Sequence, residues 1–120
     1  MAKRTGPTTL ELKKLIEELK KLGNQNNVNL WKRIAYDLEK PSRIRRKVNL
    51  YKLQKYVRDD ETAVVPGKVL SVGDFNKKIT VAAYRFSEAA EEKINKTGKA
   101  ISIHELMKKN PKASKVRIIG

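Results

Sequence analysis

Ala63–Val72, AVVPGKVLSV, and Ile79–Arg85, ITVAAYR, are the stretches at which the hydrophobic period of the chain changes. Up to Arg58 the apolar residues recur at helical spacing; from Thr62 they become contiguous and β-branched, the pattern of strands. Pro66-Gly67 falls inside the first stretch. Proline cannot donate to a ladder, so this pair predicts a turn or a bulge there. Gly73-Asp74-Phe75-Asn76, followed by Lys77 and Lys78, makes the connection to the second stretch, and the two strands are expected to form an irregular β pair.

Downstream, Ser87 is placed to cap a helix over SEAAEEKINK, with Ala89, Ala90 and Ile94 as its small apolar face and Gly98 as its end. Ala100-Ile101 reads as a short strand. Ser102 and Glu105 form a capping box for another short helix carrying Ile103, Leu106 and Met107, stopped by Asn110-Pro111. Val116–Ile119, VRII, reads as a terminal strand with Arg117 pointing away from Val116 and Ile118.

Upstream, Thr8 and Glu11 make a capping box for a helix over Thr8–Leu22, with Leu12, Leu15, Ile16, Leu19 and Leu22 in one stripe and Gly23 as its stop. Asn29 is the expected cap of a second helix with Leu30, Trp31, Ile34, Ala35 and Leu38 inward, ended by Pro41. The only tryptophan, Trp31, reads as core, and the two helices as antiparallel neighbours. After an arginine-rich link, Ser42–Val48, Asn49 is the expected cap of a third helix burying Leu50, Leu53 and Val57. The fold class is therefore α+β, with N-terminal helices followed by an irregular β-β-α superhelix-like C-terminal part. Its 120 residues are expected to form a single domain: a basic tail over 1–7, a helical part over 8–58 and a β/α part over 59–120.

Charge indicates the partner. There are 28 Lys plus Arg against 13 Asp plus Glu, a net charge of +15 and a pI near 10.1. Eight of the cations, Lys40, Arg43, Arg45, Arg46, Lys47, Lys52, Lys55 and Arg58, fall between Lys40 and Arg58 with no acid among them. Such a run repels itself unless a polyanion compensates it. Guanidinium groups fork onto phosphate oxygens, and Tyr51 and Tyr56 offer flat surfaces for bases beside those grips. Lys3 and Arg4 in the tail and Lys77 and Lys78 in the connection complete the candidate nucleic-acid-binding set. If about eight phosphates are neutralised, the slope of log affinity against log salt is expected near about −6 to −7.

Other classes fare worse. No apolar run reaches about 18 residues and no signal pattern opens the chain, so no membrane role and a cytoplasmic location are expected. Cysteine is absent, which excludes disulfides, thiolate zinc sites and a Cys nucleophile. Asp59, Asp60 and Glu61 read as a solvated turn and His104 as an exposed helix residue. Gly67-Lys68 lacks the Walker spacing and is followed by Val69. Neither an enzyme, a cofactor nor a small-molecule substrate is expected, and nothing suggests homo-oligomers.

The segments VNLYKL (Val48–Leu53), VVPGKVLSVG (Val64–Gly73), ITVAAYRFSEAA (Ile79–Ala90) and VRII (Val116–Ile119) resemble the archaeal large-subunit ribosomal protein family eighteen-e. That family is related to eukaryotic ribosomal protein L-eighteen and more distantly to bacterial L-fifteen. The resemblance runs over nearly the whole chain. It implies a structural protein that binds large-subunit rRNA beside neighbouring ribosomal proteins and has no catalytic residues. It puts RNA contacts on Arg43, Arg45, Arg46 and Lys47, and on Lys68. A basic chromatin or tRNA-associated module is the alternative that composition alone leaves open.

Overall fold

The structure is a computed structural model that describes the backbone of residues 6–40 and 46–119 and the side chains of residues 11–40 and 47–119. In chain order the elements are α1 (Gly6–Asn26), α2 (Asn29–Leu38), β1 (Arg46–Asn49), α3 (Leu50–Tyr56), β2 (Thr62–Leu70), β3 (Thr80–Phe86), α4 (Glu88–Thr97), β4 (Lys99–Ser102), α5 (Ile103–Lys109) and β5 (Val116–Ile118). Helices lead and a five-stranded sheet follows, which is the α+β class expected.

Every strand pair is parallel, in the order β1-β2-β3-β4, with β5 also on β2. The nine-residue β2 is the organising strand. Its first half, Thr62–Val64, pairs with β5 and its second half, Gly67–Leu70, with β1, while β3 runs along the other edge. Pro66-Gly67 is a bulge rather than a turn: the β2–β3 register slips between Val65 and Lys68, which accommodates a residue with no N–H inside a central strand.

Alternation along β2 and β3 sends side chains to two cores. Ala63, Val65, Val81 and Ala83 join Leu50 and Leu53 of α3 and Ala90 and Ile94 of α4. Val64 and Ala82 join Leu15 and Leu19 of α1, Trp31, Ile34 and Leu38 of α2, and Ile103 and Leu106 of α5. Both strand faces are covered, which is why these strands read as continuous apolar runs. Ile34 and Leu38 are fully buried, and each such side chain contributes about 1.5–3 kcal/mol. Right-handed crossovers explain which helix lies on which face. The steps β1-α3-β2 and β3-α4-β4 advance one way across the sheet and use one face; β4-α5-β5 steps back and uses the other.

Caps carry the later helices. Ser87 Oγ accepts from the Ala90 amide at 3.2 Å and Ser102 Oγ from the Glu105 amide at 3.2 Å. Trp31 is core, with its indole N–H donating to the Pro111 carbonyl at 2.7 Å. Gly23 and Lys32 approach one another and Lys20 pairs with Glu39 at 3.1 Å, so α1 and α2 run antiparallel.

Five local expectations need correction. Gly23 does not stop α1, which runs on to Asn26 and turns at Asn27, φ 55°. A Cβ at Gly23 would lie 2.9 Å from Lys32 Cγ and 3.1 Å from the Val28 carbonyl oxygen, so this glycine permits close approach instead. Asn29 is the first residue of α2 and Val28 takes the cap position without a side-chain bond, because the link is only two residues long. Asn49 does occupy the cap position of α3, but its Oδ1 accepts from the Val72 amide at 3.3 Å rather than from the helix. The end of the arginine-rich link is not a loop: Arg46–Asn49 is a strand, held by β2. Thr8 does not open α1, which already begins at Gly6, so Thr8 stands inside the helix and the residues before it are helical from Gly6 on; its side chain, and Pro41, lie outside the described residues.

Candidate nucleic-acid interface

Strand register places cations side by side. Lys47 of β1 is the Cα partner of Lys68 of β2, and Lys68 is the Cα partner of Arg85 of β3. Their successors, Val48, Val69 and Phe86, pack into the core shared with α3 and α4. Alternation therefore turns Lys47 and Lys68 away from that core, and all three cations, Arg85 included, are exposed. Neighbouring strands lie about 4.8 Å apart, so the backbone positions of the three cations span about 10 Å.

Nothing described neutralises the row. None of the three forms an ion pair among the described residues, and Arg85 lies 5.2 Å over the ring of Tyr84. Glu91 and Glu105 line the cleft beside Arg85 without pairing with it. Like charges directly opposite on neighbouring strands are destabilising, and an anion laid across them removes that cost. Phosphate oxygens fit the lysine and arginine donors.

Past the ends of β1 and β2, four residues on from Lys47 and from Lys68, a tyrosine and a valine are exposed. Tyr51 follows β1 by two residues and is 57% exposed, and Val72 beside it is 62% exposed. The Tyr51 amide donates to the Val72 carbonyl at 3.0 Å. Gly73, φ 105°, packs so tightly that a Cβ would lie 2.7 Å from the Tyr51 nitrogen. Lys93 Nζ donates to the Ser71 and Gly73 carbonyls at 3.0 and 3.3 Å, fixing this loop from α4. A flat apolar patch beside cations is the arrangement on which unstacked bases stack.

The other predicted residues spread over the molecule. Lys52 is half-buried on α3, while Lys55 and Arg58 are exposed towards its far end, with Lys55 Nζ 5.3 Å from the Tyr56 ring centroid. Lys77 Nζ donates to the Val57 carbonyl, and Lys78 lines a polar cleft of about 480 Å³ with Gln54, Asp59 and Asn76. Lys40 Nζ lies 3.4 Å from the buried Asp37 and 5.4 Å from the Tyr36 ring centroid. Lys3, Arg4, Arg43 and Arg45 lie outside the described residues, as does the side chain of Arg46.

Of the acids after the basic run, Glu61 is a structural tie. Its Oε1 accepts from Arg117 Nε at 2.9 Å and from the Arg58 amide at 3.0 Å. The Arg117 hydrogen bond above all, then the Arg58 amide, holds this carboxyl below its ordinary value. His104 Nε2 lies 3.0 Å from Glu18, joining α5 to α1. Among the described residues no group of three or more His, Asp or Glu is placed to hold a metal ion. No described helix is long and apolar enough to cross a membrane.

Arg85 and Val72 were missed by sequence reasoning. Arg85 is an isolated cation in ITVAAYR, and only the register of three strands gives it company.

The fold and this surface define a basic α+β protein with a row of exposed cations that no described acid pairs. Residues 10–102 match the family of ribosomal proteins that comprises 50S-L15, 50S-L18e and their counterpart in the 60S subunit. The chain is 42% identical over 120 residues to the large ribosomal subunit protein eL18 of Sulfurisphaera tokodaii, covering 99% of this chain and 98% of that one. It is 43% identical over 112 residues to its namesake from Haloarcula marismortui, with 93% and 97% covered. Against that of Methanopyrus kandleri the identity is 43% over 121 residues, with 96% and 95% covered. The chain belongs to this ribosomal protein family, as its sequence segments led us to expect.

Proposed function

We propose that this protein is a structural constituent of the large ribosomal subunit in the cytoplasm, where it binds and organises rRNA. The carrying observation is the row Lys47, Lys68 and Arg85, three cations in register on adjacent strands with no acid paired to them among the described residues. Full-length similarity to large-subunit relatives supports the same reading. The row grips backbone phosphates, and Tyr51 with Val72 takes an exposed base from a loop or bulge. A-form helices hide their base edges in a narrow major groove, so recognition is of RNA shape with a few stacked nucleotides. Arg43, Arg45 and Arg46, just before Lys47 in the sequence, add to these grips, and Lys3, Arg4, Lys40, Lys52, Lys55, Tyr56, Arg58 and Lys77 supply the remaining contacts. No chemistry is performed; the protein holds RNA segments in place against their mutual repulsion.

Sedimentation of a native lysate through sucrose in moderately high salt tests this. The protein is expected in the large-subunit peak at one copy per particle. Recovery at the top of the gradient, while other ribosomal proteins sediment, would overturn the reading.

A further inference from the structure

The opposite end of the sheet carries a second cation cluster. Lys99 opens β4 and is in register with Thr80, the first residue of β3. The Lys99 amide donates to the Ile79 carbonyl at 3.1 Å, and Thr97 Oγ1 donates to the Lys77 carbonyl at 3.0 Å. Gly98 between them has no room for a side chain, since a Cβ would fall 2.1 Å from the Ile79 carbonyl oxygen. The backbones bearing Lys78 and Lys99 are thus locked together. Lys96 stands in the last turn of α4 and Lys109 ends α5. Lys78, Lys96, Lys99 and Lys109 are all exposed, and none forms an ion pair among the described residues.

Lysines in the last turn of a helix favour its dipole, and that accounts for Lys96 and Lys109 separately. It does not account for Lys99, a strand residue whose side chain meets that of Lys109. Lys99 holds the Lys109 ammonium below its ordinary value, through their direct contact first and like charge second. Of the acids nearby, Glu105 lies one turn back on α5 and Asp59 lines the cleft beside Lys78, and neither closes on these lysines.

The two clusters are separate. Lys99 is level with Thr80, and Arg85 lies five residues further along β3, about 17 Å at strand rise. One phosphate cannot serve both.

We infer that the sheet edge formed by Lys78, Lys96, Lys99 and Lys109 is a second RNA-backbone surface, so that one molecule ties together two separate stretches of RNA. This rests on the RNA-binding reading above. Lysines act as point charges that follow a phosphate backbone without reading bases, so this edge adds affinity and salt dependence rather than sequence preference.

The test uses the full chain and two differently labelled fragments of deproteinised archaeal large-subunit rRNA, one immobilised and one in solution. Three variants are compared with the parent: Lys78→Gln, Lys96→Gln, Lys99→Gln and Lys109→Gln together at the edge; Lys47→Gln, Lys68→Gln and Arg85→Gln together in the row; and, as a charge-matched control, Lys13→Gln, Lys14→Gln, Lys21→Gln and Lys32→Gln. Circular dichroism verifies that each is folded. The edge variant is expected to keep binding the immobilised fragment but to capture about tenfold less of the second one, with a salt slope shallower by about 3. The control is expected to lose much less. Capture and slope equal to the parent's, or an equal loss in the control, would overturn the proposal while leaving RNA binding intact, and the edge would then be free to meet an acidic protein surface. Failure of the parent protein to bind either fragment would overturn the RNA reading itself, and this proposal with it.

Discussion

The helical hairpin and the three-strand row are both rich in cations, and they use them differently. In α1 and α2 and the residues just after them, positions 11–40 carry Lys13, Lys14, Lys20, Lys21, Lys32, Arg33 and Lys40 among Glu11, Glu17, Glu18, Asp37 and Glu39. Several of these are partnered: Lys20 with Glu39 at 3.1 Å, and Arg33 and Lys40 with the buried Asp37 at 3.6 and 3.4 Å. Across β1, β2 and β3 the cations line up with each other instead. Charge in the hairpin belongs to the balance of the fold, whereas charge in the row is surplus that no described acid offsets.

That contrast predicts opposite signs for removing charge. Asp37→Asn leaves Arg33 and Lys40 facing a buried neutral amide and is expected to lower stability by about 1–3 kcal/mol in urea unfolding. Lys68→Gln removes the central member of the row and is expected to raise the stability of the free protein by a few tenths, up to about 1 kcal/mol, more at low salt than at high. A stability loss on Lys68→Gln, or none on Asp37→Asn, would erase the distinction between the two regions.

The smallest effect belongs to Glu61, which sits between the two regimes as a paired acid at the edge of the basic run. Its folded value lies below the ordinary 4.5. A depressed carboxylate contributes stability that is complete above its unfolded value and is lost as pH falls through the folded one. Glu61→Gln is therefore expected to be slightly less stable than the parent at neutral pH, with the gap closing as the pH is lowered below the unfolded value and through the folded one, where both side chains become uncharged. A gap that persists unchanged at the lower pH would assign the contribution to hydrogen bonding rather than charge.

Local chemistry was legible in the sequence and non-local pairing was not. Ser87 and Ser102 announced their helices because the hydroxyl and the amide it caps lie three residues apart. Pro66-Gly67 announced an irregularity for the same reason, and the mixed helix-strand order followed from the change of period at Thr62. By contrast β1 contains only Arg46–Asn49, too short for alternation to register against the cations around it, and becomes a strand because β2 offers an edge to pair with. Gly23 looked like a helix stop because glycine often is one, while its actual constraint, the approach of Lys32, comes from the next helix. The basic character of the site was plain from composition. Its geometry was not, since Lys47, Lys68 and Arg85 are far apart in sequence and meet only through a parallel register that includes a bulge.

The most direct test of this account is the salt dependence of binding to deproteinised large-subunit rRNA, measured for the parent protein and for the triple variant Lys47→Gln, Lys68→Gln, Arg85→Gln. With the row gripping phosphates, the slope of log affinity against log salt becomes shallower by about 2 to 3 while folding is preserved. A triple variant that is folded, binds as tightly as the parent and keeps the same slope would contradict the claim that these three in-register cations form the RNA interface.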